Sequence, residues 1–297
     1  MRKYYTRACN FFYGSASRKL IKKKKTLPLC GSSSISFNQV EIFIREKKNI
    51  KSKIININEI KKLPPVIKSK VLKDLKMITK TRVFLGNKSH LLMGILNMTP
   101  DSFSDGGKFN TFKKAMKRIK FLQKTGVDIV DIGGESTRPG SKIINQQVEL
   151  SRVKKIIQIF KKKFPTILLS IDTRKSLVMD YSIKNNVDII NDVSCFNFDL
   201  KSLSSVKNKN VWKIIHHMQG TPQTMQLKPK YNHAVLDIYD FFEKEIKKFK
   251  VNKYGKKLIL DPGIGFGKNL KHNLMILNKI SIFHSLGFPI LIGTSRK

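Results

Sequence analysis

The chain is poor in acidic residues and cysteine, and it has no long apolar run. Only 20 of its 297 residues are Asp or Glu, against 59 Lys or Arg, which gives a formal net charge of +39. Cys9, Cys30 and Cys195 show no C-x-x-C spacing, so neither a disulfide framework nor a cysteine-based zinc site is indicated, and a reducing compartment is favoured. No run of 18 apolar residues is present, so the sequence predicts no membrane-spanning helix.

The excess of basic residues extends over the whole chain. Residues 1–88 hold 23 Lys or Arg against 4 Asp or Glu, and the remaining residues hold 36 against 16. Lys, Ile and Asn are abundant throughout, which indicates compositional drift rather than a nucleic-acid-binding module with interleaved aromatic residues. Nucleic acid is therefore disfavoured as a partner, whereas the positive field is expected to attract anionic small-molecule substrates.

The first 80 residues carry no recognisable chemical motif. Residues 1–40 contain no acidic residue and include the basic run Lys22–Lys25. This composition fits a basic bacterial N-terminal extension of a cytoplasmic protein, and an organelle transit peptide is the less favoured alternative. We predict an extension of unknown role over residues 1–80, with a short helix from Val66 to Ile78. A hairpin formed by residues 81–85 and 90–96 is predicted to lead into the next domain.

From residue 89 onward, short apolar runs alternate with longer segments of helical periodicity. The apolar runs predict seven strands: Leu91–Leu96, Val127–Ile132, Ile167–Ile171, Val187–Ile190, Val211–Ile215, Leu258–Leu260 and Pro289–Ile292. The helical segments are Phe112–Lys124, Gln147–Phe164, Ser176–Lys184, Leu236–Lys250 and Leu274–Ser285, with 200–210 less clear. Strict alternation predicts an α/β fold with a parallel sheet, namely a (β/α)8 TIM barrel over residues 81–297. Because seven strands are counted before the sequence stops at Lys297, we expect the barrel to be C-terminally incomplete.

A polar residue follows each predicted strand. These residues are Asn97, Glu135, Asp172, Asn191, His217, Asp261 and Lys297. Catalytic residues of (β/α) barrels lie at the C-terminal ends of the strands, so the sequence predicts one site that collects these side chains. For each carboxylate taken alone, a helix N-cap or a surface charge is an equally good interpretation, as it is for Asp172 before Thr173.

Seven motifs occur in a fixed order along residues 89–297. They are N-M-T-P-D-S-F-S-D-G-G (97–107), G-G-E-S-T-R-P-G (133–140), S-I-D-T (170–173), N-D-V-S (191–194), H-M-Q-G-T-P (217–222), D-P-G-I-G-F-G-K (261–268) and S-R-K (295–297). Together they resemble the dihydropteroate synthase family, folate-pathway transferases built on a pterin-binding TIM barrel. The resemblance implies that 6-hydroxymethyl-7,8-dihydropterin diphosphate reacts with p-aminobenzoate to give 7,8-dihydropteroate and pyrophosphate. It also implies a sulfonamide target.

The resemblance assigns pterin recognition to four matching positions, Asp172, Asn191, Asp261 and Lys297. The chemistry agrees, because carboxylates accept from the N–H groups of a 2-amino-4-oxo edge and a lysine donates to O4 or N5. Phe266 and Met218 are expected to form apolar walls around the ring. His216 and His217 are adjacent and face opposite ways on a strand, so a two-histidine metal site is not expected.

Pyrophosphate and catalytic roles are also implied by the resemblance. Asn97 is expected to contact Mg²⁺, which accepts a neutral oxygen ligand beside phosphate oxygens and water. Thr137 matches a pyrophosphate-contacting position. Phe103 and Asp105 lie on a first mobile loop, where Asp105 favours the developing cation, and Arg138 lies on a second. The glycines before Lys268 suggest a phosphate-binding loop, although P-loop spacing is absent.

Three alternatives remain open at this stage. A methyltetrahydrofolate-binding methyltransferase shares the barrel but is expected to lack the 97–107 loop and the motif at Glu135–Gly140. A non-catalytic pterin-barrel paralogue or fragment is the second alternative. It is favoured because two features of the family, the Arg-x-His motif and the Ser that follows S-R-K, would lie beyond Lys297. A basic RNA-associated protein is the third. The family is commonly homodimeric through its last helices, so a homodimer is implied only by the resemblance.

Overall fold

The computed structural model describes residues 2–82, 90–99, 108–136, 141–249, 255 and 257–294. Within these ranges the chain divides into two compact units. The first comprises the described parts of Met1–Asn87, Lys230–Glu243 and Leu270–Ile290, and the second those of Lys88–Pro229, Lys244–Asn269 and Leu291–Lys297. The division at residues 80 and 81 that the sequence suggests stays a prediction.

An antiparallel sheet forms the N-terminal part of the first unit. Its strands are β1 (Arg2–Tyr13), β2 (Leu27–Leu29), β3 (Ser32–Glu46) and β4 (Asn49–Asn56). The long strand β3 is central, because it pairs with β1 on one side and with β2 and β4 on the other. Helix α1 (Gly14–Lys22), a 3₁₀ helix (Ile57–Lys62) and α2 (Pro65–Thr79) complete this part.

The first unit has its own apolar core. Nine buried residues form it: Ala8, Phe37, Val40, Ile42, Ile60, Leu63, Val71, Leu75 and Ile78. Side chains of β1, β3 and α2 therefore bury one another, and the apolar residues of the extension stabilise a folded sheet. Helix α2 confirms the predicted helix at Val66–Ile78 and begins with Pro65 in its first turn. The predicted hairpin depends on residues 83–89, which lie outside the described residues.

A parallel sheet of six strands forms the second unit. The strands are β5 (Met93–Asn97), β6 (Ile129–Gly133), β7 (Leu168–Asp172), β8 (Ile189–Asp192), β9 (Trp212–His216) and β10 (Leu258–Asp261). They neighbour one another in chain order. Six predicted strands are thus confirmed, with their ends shifted by at most two residues. The α/β class and the parallel strand order of an incomplete TIM barrel are confirmed.

The seventh predicted strand, Pro289–Ile292, is wrong as a strand. Ile290 makes only an isolated bridge, and the Leu291 N–H donates to the Leu260 carbonyl at 2.9 Å. The remaining helices are α3 (Lys108–Lys124), α4 (Gln146–Lys163), α5 (Ser176–Lys184), α6 (Ser202–Lys207), α7 (Ala234–Phe249), α8 (Leu270–Asn278) and a 3₁₀ helix (Ile280–Leu286). The helix predicted at Leu274–Ser285 is therefore two helices, because the backbone of Lys279 leaves helical geometry. Among the described ranges, no helix has the length and apolar character needed to cross a membrane.

Candidate active site

The C-terminal ends of four neighbouring strands bring the predicted polar residues into one row. The strand register aligns Asn97 with Gly133, Gly133 with Asp172, and Asp172 with Asn191. Residues at the same level of adjacent parallel strands project to the same face of the sheet. Gly133 leaves space between its neighbours: a Cβ built on it would lie 3.6 Å from Asn97 Oδ1 and 3.5 Å from Asp172 Oδ2. The two oxygens thus approach one point above the sheet.

Asn191 is oriented by Asp131, a buried residue of β6 that belongs to none of the seven motifs. Its amide Nδ2 donates to Asp131 Oδ2 at 3.0 Å, and both side chains are buried. Ser170 stands opposite Asp131 on the intervening strand, where a small side chain lets the amide reach across β7. With its N–H₂ group directed to Asp131, Asn191 is left with its carbonyl Oδ1 for a ligand. The available signal for Asp131 was a carboxylate inside an otherwise apolar strand.

The carboxylates at these strand ends are electrostatically opposed to one another. Burial raises the pKa of Asp131, and the negative charge of Asp261 adds to this effect. Burial raises the pKa of Asp172 well above its ordinary value, and the charges of Asp131, Glu149 and Asp192 raise it further. Arg174 opposes the shift only in part. The site therefore favours a protonated form for some of these groups, or a ligand that supplies hydrogen-bond donors.

Unsatisfied acceptor atoms point to the second possibility. Asp131 Oδ1, Asp172 Oδ1 and Asn191 Oδ1 are buried and have no hydrogen-bond partner within the described part of the chain. Buried oxygens of this kind cost free energy unless a donor reaches them. Asp192 behaves differently, because its oxygens accept from Ser194 N at 2.7 Å and from Phe196 N at 3.0 Å. Burial raises its pKa to about 6, and it stabilises the turn after β8.

Asp261 is held by two donors at the end of β10. Its Oδ2 lies 3.0 Å from His216 Nδ1, and its Oδ1 accepts from Gly263 N at 2.8 Å. Burial raises the pKa of Asp261, but His216, the Gly263 N–H and Lys268 outweigh it, so the pKa lies below the ordinary value. Phe266 packs its ring against the His216 ring, with the centroids 4.7 Å apart at 83°. Phe266 and Met218 are half-buried, as expected for residues that line a pocket.

The sequence predicts a phosphate-binding loop at the glycine-rich segment after β10. In the structure, the glycines of this segment allow it to pack closely against neighbouring backbone. A Cβ at Gly263 would lie 2.1 Å from the His217 carbonyl, and one at Gly267 would lie 2.7 Å from the Gln219 carbonyl. Lys268 Nζ is directed inward, to His217 Nδ1 at 3.0 Å and to the Phe266 carbonyl at 2.8 Å. Burial lowers the pKa of Lys268 to about 7 and that of His217 well below its ordinary value. His216 and His217 thus have different partners, Asp261 and Lys268 respectively.

A buried ionic network supports the segment after β6. Glu135 accepts from Arg174 Nη2 at 2.6 Å and from Lys175 Nζ at 2.8 Å. Lys175 also contacts Glu149 at 2.7 Å, and the Arg174 guanidinium lies over the Phe198 ring. Lys175 and Arg174 lower the pKa of Glu135 despite its burial. These contacts therefore fix Glu135, the third residue of the G-G-E-S-T-R-P-G motif, directly after β6.

Five of the predicted site residues lie outside the described residues: Phe103, Asp105, Thr137, Arg138 and Lys297. The structure brings together Asn97, Asp172 and Asn191 by strand register, and Asp261 with Phe266 through His216. Asp131, His216 and Arg174 are additions that the motifs did not indicate. Across the described ranges, no cluster of three or more His, Cys, Asp or Glu is placed to hold a metal ion. Asn97 would accordingly need ligands from a substrate or water.

Comparison with known proteins gives consistent results. The pterin binding enzyme family matches residues 93–297. The dihydropteroate synthase of Escherichia coli (strain K12) is 40% identical over 207 residues, which cover 69% of this chain and 73% of that protein. The dihydropteroate synthase of Bacillus subtilis (strain 168) is 39% identical over 220 residues, or 74% of each chain.

Solved structures of such enzymes resemble the chain as well. The Yersinia pestis dihydropteroate synthase in complex with a sulfonamide drug matches with a TM-score of 0.65 and 39% identity, covering 70% of this chain and 75% of that one. The Xanthomonas albilineans dihydropteroate synthase in complex with 7,8-dihydropteroate matches with a TM-score of 0.60 and 31% identity, covering 70% and 73%.

Proposed function

The chain belongs to the pterin binding enzyme family, and we propose that it is a dihydropteroate synthase of folate biosynthesis. The enzyme joins 6-hydroxymethyl-7,8-dihydropterin diphosphate to p-aminobenzoate. The amine nitrogen forms a bond to the exocyclic methylene carbon, the carbon–oxygen bond to the diphosphate breaks, and the amine loses a proton. The products are 7,8-dihydropteroate and pyrophosphate. The solved relatives in complex with a sulfonamide and with 7,8-dihydropteroate support both substrate classes.

The observation that carries this proposal is the set of unsatisfied acceptors at the strand ends. Asp131 Oδ1, Asp172 Oδ1 and Asn191 Oδ1 are buried and lack donors among the described residues. The 2-amino-4-oxo edge of a pterin presents N–H groups at neighbouring positions, so it can satisfy such oxygens. Because Asn191 donates to Asp131, it acts toward the ligand as an acceptor. Asp261 supplies a further charged acceptor, and Phe266 and Met218 contact the ring faces.

The reaction needs no protein nucleophile, because the dihydropterin can delocalise positive charge at the methylene carbon. The protein orients the two substrates and stabilises this charge. We assign Asp105 to stabilisation of the cation, and Arg138 and Thr137 to the diphosphate. Lys297 is proposed to donate to O4 or N5 of the pterin, and Phe103 to contribute to substrate binding. These five assignments follow from the motifs and stay proposals.

Magnesium is the proposed cofactor, and Asn97 is its proposed protein ligand. The donor chemistry fits, because Asn97 Oδ1 and Asp172 Oδ2 approach the same point above Gly133 and both are oxygens. When bound, Mg²⁺ neutralises the charge of the departing pyrophosphate. Asn97 would contribute by holding the diphosphate end of the substrate at the edge of the pterin site.

The cellular compartment, the oligomeric state and the role of residues 1–80 are proposed from other observations. Cys9, Cys30 and Cys195 are all free thiols, which fits the reducing cytoplasm. A homodimer is proposed by resemblance alone, and residues 1–80 are proposed as an accessory domain distinct from the barrel of 81–297. No nucleic acid or membrane is assigned as a partner.

The function can be tested by measuring binding and turnover separately. We expect the protein to bind the pterin diphosphate in the presence of Mg²⁺ and to release pyrophosphate only after p-aminobenzoate is added. Asp261→Ala should abolish pterin binding, whereas Asp180→Asn, at an exposed position of α5, should leave it unchanged. Pterin binding without pyrophosphate release would support the alternative, a non-catalytic protein of the same family.

A further inference from the structure

His216 and Asp261 form a buried pair at the end of adjacent strands. They are the last residues of β9 and β10 and are aligned by the strand register. The distance from His216 Nδ1 to Asp261 Oδ2 is 3.0 Å, and the side chains are 3% and 13% exposed. The carboxylate is therefore the more exposed member of the pair, and the histidine is almost fully buried. A ligand that enters the site is expected to contact Asp261 in preference to His216.

The position of the His216 ring is fixed on both sides. Phe266 contacts it edge to face, and the turn at Gly263 approaches Nε2 so closely that a Cβ there would lie 2.9 Å from this atom. A carboxylate next to Nδ1 places the proton on Nδ1, so Nδ1 is the donor of the pair. The second oxygen of Asp261 accepts from Gly263 N at 2.8 Å. Two donors thus fix the plane of the carboxylate before any ligand binds.

The pKa of Asp261 is shifted in the opposite direction from the pKa values of its neighbours for the same reason. The pKa values of Asp131 and Asp172 are raised by burial and by other carboxylates, whereas the pKa of Asp261 is lowered, chiefly by His216. Lys268 contributes a smaller effect in the same direction. A carboxylate that stays ionised accepts hydrogen bonds with both oxygens, whereas a protonated one presents a donor to the N–H groups of a pterin.

We propose that His216 is a positioning residue, which holds Asp261 ionised and fixed in plane so that it accepts from the N–H groups of the pterin. The proposal rests on the synthase function proposed above and adds a specificity determinant to it. The proposal gives His216, which is buried and paired with Asp261, no contact with p-aminobenzoate or pyrophosphate. Its loss should therefore weaken binding of the pterin substrate alone.

Three substitutions test the role. His216→Asn places an amide nitrogen near the position of Nδ1, His216→Gln places its amide near Nε2, and His216→Leu removes both. Titration with the pterin diphosphate and Mg²⁺ should give a Kd about 10- to 100-fold higher for His216→Leu and His216→Gln, as expected for loss of a hydrogen bond to a charged group. His216→Asn should remain within about 5-fold of the wild type, because it retains the donor.

Kinetics separate positioning from general damage. The KM for p-aminobenzoate and the kcat at saturating pterin should stay within about 3-fold of wild type in all three variants, since only pterin ground-state binding is affected. Equal losses in His216→Asn and His216→Gln, or a wild-type Kd in His216→Gln, would overturn the proposal, and this pair decides the matter even if His216→Leu fails to fold. A wild-type protein that does not bind the pterin diphosphate would instead overturn the proposed function.

Discussion

Buried carboxylate oxygens have hydrogen-bond donors in the N-terminal sheet, whereas some of those at the strand ends of the barrel have none among the described residues. In the sheet, Glu41 accepts from Arg7 at 2.9 Å, from Lys279 at 3.1 Å and from Ser52 at 2.8 Å. At the strand ends, Asp131 and Asp172 each keep one buried oxygen without a partner in the described part of the chain. Burial raises the pKa values of both groups, and nearby carboxylates raise them further.

This difference separates charges that stabilise the fold from charges that await a ligand. Replacing a satisfied buried carboxylate leaves its cationic partners uncompensated, so the folded state loses stability. Replacing an unsatisfied one removes repulsion and desolvation, so the folded state gains stability while the ligand loses its partner. Variants at the two kinds of position should therefore change stability in opposite directions.

The largest effect is expected for Asp172→Asn. We expect the Kd for the pterin diphosphate to rise about 100-fold, because one acceptor oxygen of the side chain becomes an N–H₂ group that faces the N–H groups of the pterin. We also expect the melting temperature to rise by about 2–4 °C, because the cost of burying the carboxyl group and the repulsion from Asp131, Glu149 and Asp192 are removed. Calorimetric titration and thermal unfolding measure the two quantities.

A matched control lies at the other end of the same sheet. Asp188 accepts from Leu169 N at 2.7 Å and from Lys161. Asp188→Asn should lower the melting temperature and leave pterin binding unchanged. If Asp172→Asn also lowers the melting temperature, the contrast between the two kinds of carboxylate is wrong.

The next effect is expected in the N-terminal sheet. Glu41→Gln should reduce the free energy of unfolding by about 2–3 kcal/mol, because Arg7 and Lys279 lose their common anion. Denaturant titration should show the loss, with pterin affinity unchanged. Glu46→Gln is the control, since the Arg2–Glu46 pair is exposed and its removal should not shift the midpoint. Equal shifts for both variants would show that burial of Glu41 is not the cause.

The smallest effect concerns the pH dependence of stability at Lys268. Burial lowers its pKa from 10.5 to about 7 in the folded protein. Between these values the unfolded chain binds a proton that the folded protein does not, so stability rises with pH in this window. The free energy of unfolding of the wild type relative to Lys268→Met should therefore increase by about 1 kcal/mol from pH 7.5 to pH 8.5.

Exposed Lys271→Met is the control for this measurement. Its stability relative to the wild type should not change over the same pH range. A constant difference between the wild type and Lys268→Met would indicate that the Lys268 ammonium stays charged in the folded protein.

The sequence predicted the strand ends better than the residues between them. Asp172, Asn191 and Asp261 were identified because each follows an apolar run, which is visible along the chain. Asp131 and His216 were missed because their partners are distant in sequence, 60 residues away for Asn191 and 45 for Asp261. Such pairs depend on strand register, which a single sequence does not specify. The roles of Asp105 and Arg138 stay predictions.

The N-terminal sheet was missed for a different reason. Buried and exposed residues in β1 do not alternate strictly, because consecutive residues such as Tyr4 and Tyr5 differ little in character. The basic composition also suggested only an extension of unknown role with one short helix. Glu41 is the first acidic residue of the chain, and it is buried and paired with Arg7. Because acidic residues are rare in this chain, the presence of Glu41 in an apolar segment was the better indication of a folded sheet.

The direction of the Asn191 amide has a consequence for inhibitor design. Because its N–H₂ group is committed to Asp131, this wall of the pocket repels any heterocycle that presents a ring nitrogen lone pair or an ether oxygen at the same point. A compound in which the 2-amino group is exchanged for a methoxy group should consequently lose affinity out of proportion to its change in size. Competition between such isosteres and the parent amine would show whether each position of the pocket wall accepts or donates a hydrogen bond.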